Sequence, residues 1–310
     1  MSFLLIDANS LGFAAQNSSR LSANNEPVQA IYYTLRMVKS AIEANPSYKH
    51  PIVLWDGKSK RRLSLFPEYK AKRKANPKME EARKEYHRQR PEIVKALSYL
   101  GMTQIYPRDF EADDLAGYLV RKNAKAVKKT MLVSGDRDWL QLVNALTSWY
   151  DPRSTGTSVI DKSEFKGFTG FSSTQKFLQG KAILGDTSDC IDGVPGLGEK
   201  AAVAIMDQFG SVEGLIEDYQ ANGPFSKRKD LDKSLSRFRK KLDGLAGDES
   251  VQELFYRNMA LMDLTQDEFD DEMAGDCRLL RSKPNLDKFV DFCGHHKFAS
   301  ILRNIDDWKF

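Results

Sequence analysis

The sequence predicts an α/β domain with a mostly parallel central sheet, followed by a largely helical domain. Three observations carry that expectation. Short apolar runs end in an acid at 3-FLLID-7, 51-PIVLWD-56 and 131-MLVSGD-136. Continuous apolar runs of this length suit parallel strands buried on both faces. Helical patterns lie among them, and strands alternating with helices mark an α/β domain over about residues 1–165. From about 166 to 310 the patterns are helical with few strand signals.

Taken in chain order, the first strand closes on Asp7 and is followed by a helix over 28–44. The second strand closes on Asp56. A basic excursion over about 57–95 follows, and a helical pattern at 80–97 returns the chain to the core. Strands are expected again at 103-TQIYP-107 and 148-SWYDP-152, with helices at 111–127 and 138–146 around the 131–136 strand. In the second part, a hairpin and helix are expected within about 185–210. Residues 223–241 read as a solvated Lys/Arg-rich loop and helix, and 266–276 as an exposed acidic stretch; no internal repeat is evident.

The 310 residues are 41% hydrophobic and 29% charged, enough for a real core and against global disorder. A net charge of +4 conceals segregation: residues 57–95 carry fourteen Lys and Arg against five Glu, so the rest is acidic. An acidic body with a basic segment points to a polyanionic partner handled by an acidic centre. Cys190, Cys277 and Cys293 are odd in number and lack CxxC spacing, as expected of reduced thiols. The N-terminus lacks a basic n-region, and no apolar run approaches the roughly 20 residues of a membrane span. A soluble protein of the cytoplasm, with no membrane partner, is the expectation.

Nine acids fall at strand ends or in tight pairs: Asp7, Asp56, Glu111, Asp113, Asp114, Asp136, Asp138, Asp186 and Asp189. Each alone suits a helix cap, a favourable first turn or a tight turn. Together they gather along one sheet edge, where ligands of α/β folds sit. No comparable set of Lys or Arg stands beside them in sequence, so divalent cations are the expected compensation. All-oxygen donors suit Mg²⁺ or Mn²⁺, and His50, His87, His295 and His296 show no zinc spacing with the cysteines. So many carboxylates suit two metals, the arrangement of phosphodiester hydrolysis.

The excursion 58-KSKRRLSLFPEYKAKRKANPK-78 rises directly from Asp56 and interleaves Phe66 and Tyr69 with cations, including Lys72 and Lys74. Such a run is most often a solvated face. Aromatic rings among cations also serve single-strand binding, and a basic bridge over a carboxylate pocket would admit one strand. Lys70 and Arg73 are placed to stabilise charge on a scissile phosphate. In 193-GVPGLGEKAA-202, Gly196 and Gly198 permit close backbone approach, and Lys200 sits in the first turn of a helix. This device suits a duplex phosphate backbone and could expose carbonyls to a monovalent cation such as potassium; it also suits a simple turn.

The stretches LLIDANS, VLWDGKSKRRLSLFPEYKAKR, FEADDLAGYL, VSGDRDWLQL and GDTSDCIDGVPGLGEKAA resemble, in the same order, motifs of the 5′-nuclease superfamily. That family includes flap endonucleases, phage 5′→3′ exonucleases with RNase H activity and the nuclease domain of bacterial DNA polymerase I. The resemblance covers about residues 3–210, and the free-standing size is most similar to the phage enzymes. It implies a PIN-like core, a helical arch and a helix–three-turn–helix motif. It implies a first metal site from Asp7, Asp56, Glu111, Asp113 and Asp136, and a second from Asp138, Asp186 and Asp189, with Asp114 shared or outer. Lys70 and Arg73 would contact the scissile phosphate, Tyr69 would stack on a base and Lys200 would hold duplex phosphate. The implied activity is a Mg²⁺-dependent, structure-selective 5′ nuclease acting on branched or nicked DNA and RNA–DNA hybrids, removing flaps or primers. No sliding-clamp motif is seen. The alternatives are a PIN-type single-strand ribonuclease, disfavoured by Asp186, Asp189 and the glycine hairpin, and a non-catalytic structure-specific DNA-binding protein.

Overall fold

The computed structural model describes residues 2–71, 76–153 and 159–309. The first strand, β1 (Ser2–Asp7), is the centre of the sheet, because Leu4, Leu5 and Ile6 are apolar in succession and all three are fully buried. It lies parallel between β4 (His50–Leu54) and β6 (Lys129–Val133), with Leu5 opposite Ile52 and Leu132. Beyond β4 runs β5 (Thr103–Pro107), and beyond β6 runs β7 (Thr147–Tyr150), both parallel to their neighbours. Strands β2 (Ser22–Ala23) and β3 (Glu26–Pro27) form a separate small hairpin.

Side chains alternate across a strand, so the two faces of this sheet feed two cores. Leu5, Leu54 and Leu132 enter one of them. There they meet α5 (Ala112–Lys125) and, in the second half, α6 (Phe165–Thr169), α7 (Thr174–Leu184), α8 (Glu199–Phe209), α9 (Val212–Asn222), α10 (Arg239–Gly247) and α11 (Glu249–Met262). Leu4, Ile6, Val53, Met131 and Val133 enter the other, against α1 (Ala8–Gln16), α2 (Gln29–Ala44) and α4 (Pro77–Tyr99). Helix α3 (Lys60–Leu65) starts the basic excursion. The fold is thus the expected α/β layer with a mostly parallel sheet and a helical part. The short β8 (Gly185–Asp186) and β9 (Ile191–Asp192) pair between α7 and α8.

Three expectations need correction. The division at 165/166 does not hold for the end of the chain. After α12 (Asp270–Asp276), β10 (Cys277–Leu280) adds antiparallel to β5, and α13 (Leu286–His295) with α14 (Ala299–Arg303) returns to the first half. Phe289, Phe292, Ile301 and Trp308 are buried in the α2/α4 core, and this apolar face pulls the segment back. The helix expected over 138–146 is a 3-10 turn, Arg137–Leu142. Trp139, Leu140, Gln141 and Leu142 are buried in succession, which leaves no solvent face for an amphipathic helix. Helix α1, unforeseen, begins where Asp7 caps Ser10.

No helix among the described residues is long and apolar enough to cross a membrane, and Cys190, Cys277 and Cys293 form no disulfide.

Candidate active site

The acids at the carboxyl edge of the sheet are held by the local turns that begin there. Asp7 is the N-cap of α1: its Oδ1 accepts from the Ser10 amide at 2.9 Å and its Oδ2 from the Ser134 hydroxyl at 2.7 Å. Asp56, just past β4, accepts from the Ala112 amide at 2.9 Å and so meets the start of α5. Asp136 accepts from the Asp138 amide at 2.8 Å, and Asp186 from the Ser188 amide at 2.8 Å. The capping and turn roles are therefore real. They aim the remaining carboxylate lone pairs rather than consuming them.

Charge is crowded here. Burial, then the neighbouring Asp56 and Asp136 charges, push the Asp7 carboxyl up to about 7 despite its two hydrogen bonds. Asp136 keeps an exposed edge at the mouth of the cleft. Desolvation and the Asp138 charge push it up to about 6.

Glu111 and Asp114 open α5 as a capping box, with Asp113 between them in the first turn. The expectation that no Lys or Arg accompanies the acids is wrong at this point. Arg62, on α3, is 3% exposed. Its Nη1 donates to Glu111 at 3.1 Å and Asp114 at 2.7 Å, and its Nη2 to Asp113 at 3.2 Å and Asp114 at 2.8 Å. The Lys70 ammonium pairs with Glu111 and lies 3.7 Å from Asp189, while Lys181 stands 2.8 Å from Asp138. These partners are distant in sequence, which is why local inspection misses them: Arg62 and Glu111 are 49 positions apart. Burial alone would raise Glu111, but Lys70 and Arg62 overcome it and hold the carboxyl down to about 2. Burial and the charges of Asp114 and Glu111 raise Asp113 well above the usual range against the pull of Arg62.

Tyr69 also departs from expectation. Its ring is 5% exposed and packs with Leu178, Ile191, Leu261 and Met262, so in this conformation it offers no stacking face. Its hydroxyl donates to Glu111 at 2.9 Å and lies 3.0 Å from Asp189. The Lys70 amide donates to the Asp189 carbonyl at 2.9 Å, and Lys70 takes a left-handed φ of 60°. Residues 66–70 are thereby folded onto the acids. Lys72, Arg73 and Lys74 lie outside the described residues.

Eight of the nine acids line one cleft of about 610 Å³: Asp7, Asp56, Glu111, Asp113, Asp136, Asp138, Asp186 and Asp189. Asp114 does not line it. Among the described residues no three Asp, Glu, His or Cys side chains are drawn tightly enough to close around one ion as they stand. Like charges hold themselves apart unless a cation intervenes, and here Arg62, Lys70 and Lys181 do so from the sides. The facing wall brings in Arg83, His87 and Arg90, which sequence reasoning left unassigned. Arg90 donates to the Asp56 carbonyl at 3.3 Å and covers the Trp55 ring at 4.8 Å.

The glycine hairpin lies apart from the acids. Ile191, Val194 and Leu197 are buried beneath it, Gly196 has φ 77° and Gly198 is the N-cap of α8. Gly196, Gly198 and Lys200 are exposed, and none of the three lines the acid cleft.

Residues 2–170 match the family described as "5′-3′ exonuclease, N-terminal resolvase-like domain", and residues 172–252 match "5′-3′ exonuclease, C-terminal SAM fold". The chain belongs to the 5′-3′ exonuclease family. A relative named 5′-3′ exonuclease from Halalkalibacterium halodurans is 34% identical over 205 residues, 65% of this chain and 62% of that protein. The thermostable DNA polymerase I of Thermus filiformis is 28% identical over 77% of this chain, which spans only 28% of that polymerase. Among solved structures, the T5 5′-exonuclease with zinc bound superposes with a TM-score of 0.69 at 24% identity, covering 96% of this chain and all of that one. At that identity the likeness establishes the fold: the resolvase-type α/β layer and helical SAM-type part of the 5′-3′ exonucleases.

Proposed function

We propose that this family member is a divalent-metal-dependent, structure-selective 5′ nuclease that hydrolyses phosphodiester bonds near junctions of single-stranded and duplex DNA. One observation carries the reading: eight carboxylates line one cleft, and the buried Asp7 is pushed far above its ordinary range by burial and by the charges of Asp56 and Asp136. Such a cluster is stable as carboxylates only beside cations, and its donors are all hard oxygens, which suits Mg²⁺ or Mn²⁺. Asp7, Asp56, Glu111, Asp113 and Asp136 would hold one ion, and Asp138, Asp186 and Asp189 a second. When bound, the ions supply a water of lowered pKa and charge stabilisation at the leaving oxygen.

The chain's own residues do the rest. Ser10 and Ser134 fix the orientation of Asp7. Lys70, paired with Glu111 at the cleft, would stabilise negative charge developing on the scissile phosphate. Arg83, His87 and Arg90 give the facing wall donors for a strand backbone. The exposed turn at Gly196 and Gly198, with Lys200, would grip duplex phosphates without reading bases, and potassium on its carbonyls is a further expectation. Tyr69 would reach a base only once 66–70 lifts off the acids; Lys72, Arg73 and Lys74 would follow the strand. Such an enzyme would act in the cytoplasm, removing flaps or RNA primers from branched or nicked DNA and RNA–DNA hybrids.

Support comes from relatives too: the T5 flap endonuclease, 22% identical with a TM-score of 0.67 over all of this chain and 99% of that one, was crystallised in complex with DNA and metal ions. The test is cleavage of 5′-labelled flap, nicked and RNA–DNA substrates with Mg²⁺ or with EDTA. Shortening of the flap strand in Mg²⁺ alone is expected. A shifted but never shortened substrate would instead identify a binding protein.

A further inference from the structure

We propose that Arg62 is a resident cation of the acid cleft, a positioning residue that claims Asp114 for itself and confines the metal ions to the other acids. The proposal rests on the metal-nuclease reading above. It goes beyond it by removing one of nine acids from the metal ligands and by giving a residue of the basic excursion a role unrelated to DNA.

The guanidinium is fully used. Nη1 and Nη2 make four hydrogen bonds to carboxylates, and Nε donates to the Leu261 carbonyl at 2.9 Å. Arginine has five N–H donors and is charged at every working pH, so nothing of this group remains for substrate. Its 3% exposure also excludes it from phosphate contact. Leu261 lies in the last turn of α11, whose unpaired carbonyls and dipole favour a cation. Arg62 thus ties the base of the excursion, the start of α5 and the end of α11 into one joint.

Asp114 is committed on the other side. Both its oxygens accept from Arg62, at 2.7 and 2.8 Å, and Oδ2 also accepts from the Glu111 amide at 3.1 Å. It is 8% exposed and absent from the cleft wall. Glu111 and Asp113 each give Arg62 one oxygen, Glu111 Oε2 and Asp113 Oδ2, and both residues still line the cleft. A divalent ion placed among the three would be repelled by the guanidinium. Ions are therefore directed to the cleft side, toward Asp7, Asp56, Asp136 and the remaining oxygens of Glu111 and Asp113, and toward Asp138, Asp186 and Asp189. Loss of this charge would leave Glu111, Asp113 and Asp114 with only Lys70 on Glu111 and Arg61 at 3.9 Å from Asp114 as cationic neighbours, and so raise their pull on a divalent ion.

The test is Mn²⁺ titration of the metal-free full chain, followed by electron paramagnetic resonance of the free ion, with folding checked by circular dichroism. Wild type, R62Q, R62K, D114N, R62Q/D114N and D186N are compared. D114N should keep the number of Mn²⁺ bound and weaken affinity by no more than about tenfold, the effect of one charge removed near the site, because Asp114 is not a ligand. R62Q should bind an extra Mn²⁺, or bind at least about tenfold tighter, as expected when a positive charge is removed beside a cation site. The double variant should return toward wild type, and R62K should stay close to it. A merely structural Arg62 would give weaker binding in R62Q, and that result overturns the proposal. So does loss of binding in D114N. If R62Q fails to fold, D114N and R62K decide: retained binding in both supports the proposal, and loss in either overturns it. Wild type that binds no Mn²⁺ overturns the metal-nuclease reading itself. Binding abolished by both D186N and D114N overturns only the role of Arg62.

Discussion

Replacing Asp7 by Asn should stabilise the metal-free protein at alkaline pH, although it removes a central acid of the site. Burial and neighbouring charges lift the Asp7 carboxyl from 3.8 to about 7. A carboxyl raised in the folded state binds its proton more tightly there than in the unfolded chain. Its stabilising contribution is complete below 3.8 and is lost as pH rises through about 7. Each tenfold change in proton affinity is worth about 1.4 kcal/mol, so the linkage approaches about 4 kcal/mol at pH 8. Counter-ions and relaxation of the cleft recover part of that, and we take about 2 kcal/mol for the net gain. Asn keeps an acceptor for the Ser10 amide, so the start of α1 is preserved. At about 1.5 °C per kcal/mol for a chain of 310 residues, the melting temperature in EDTA at pH 8 should rise by about 3 °C. At pH 5, just over one unit above 3.8, the unfolded chain has already released this proton, so about two-fifths of the pH 8 gain should remain. With Mg²⁺ present the order should reverse, since wild type gains from the ion and the variant loses a ligand. Thermal unfolding by circular dichroism at pH 5 and 8 measures all of this. An equal gain at both pH values, or none at pH 8, would refute the electrostatic reasoning.

Lys70→Ala removes the ammonium between Glu111 and Asp189. Single-turnover cleavage of a flap should fall by about 10²-fold or more with duplex affinity little changed; an unaltered rate removes Lys70 from the chemistry. Gly193→Ala would place a Cβ 2.2 Å from the Leu184 carbonyl oxygen, backbone that cannot swing aside. It should cost about 1–3 kcal/mol and weaken duplex binding, which denaturant titration and gel shift would show. His296 is 8% exposed, and burial lowers its pKa although Glu92 at 3.5 Å opposes the shift. Its contribution to stability is present above the ordinary 6.5 and lost as pH falls below it. The urea midpoint should therefore fall less between pH 7.5 and 5.5 in His296→Phe than in wild type; equal pH dependence would exclude His296 as the source.

Much of this arrangement was legible because it is written locally. The runs around Leu5, Val53 and Leu132 have only one good solution, a strand buried on both faces, and the acids that end them follow the chain to one edge. The spacing of Ile191, Val194 and Leu197 likewise declares the underside of the glycine turn. What escaped was what depends on distant pairing. Arg62 reads as one cation among many until α5 and α11 close around it. Tyr69 reads as a surface aromatic among lysines until its hydroxyl finds Glu111. The return of β10 to β5 has no local signature at all, since Cys277–Leu280 is a partner only for an edge that another segment creates. The 3-10 turn after Asp136 was misread because successive buried side chains look alike in a helix and in a tight turn.

That late return governs the order in which the protein can be made. Strands β1, β4 and β6 emerge early in synthesis, yet β5 keeps a bare edge, and the α2/α4 side lacks Phe289 and Trp308, until the segment from β10 to Trp308 has followed. A nascent chain halted before 277 carries every one of the nine acids on an unfinished scaffold. A chain ended upstream of β10 would leave the β5 edge unpaired and the α2/α4 core uncovered, and is expected to aggregate more readily than the longer one.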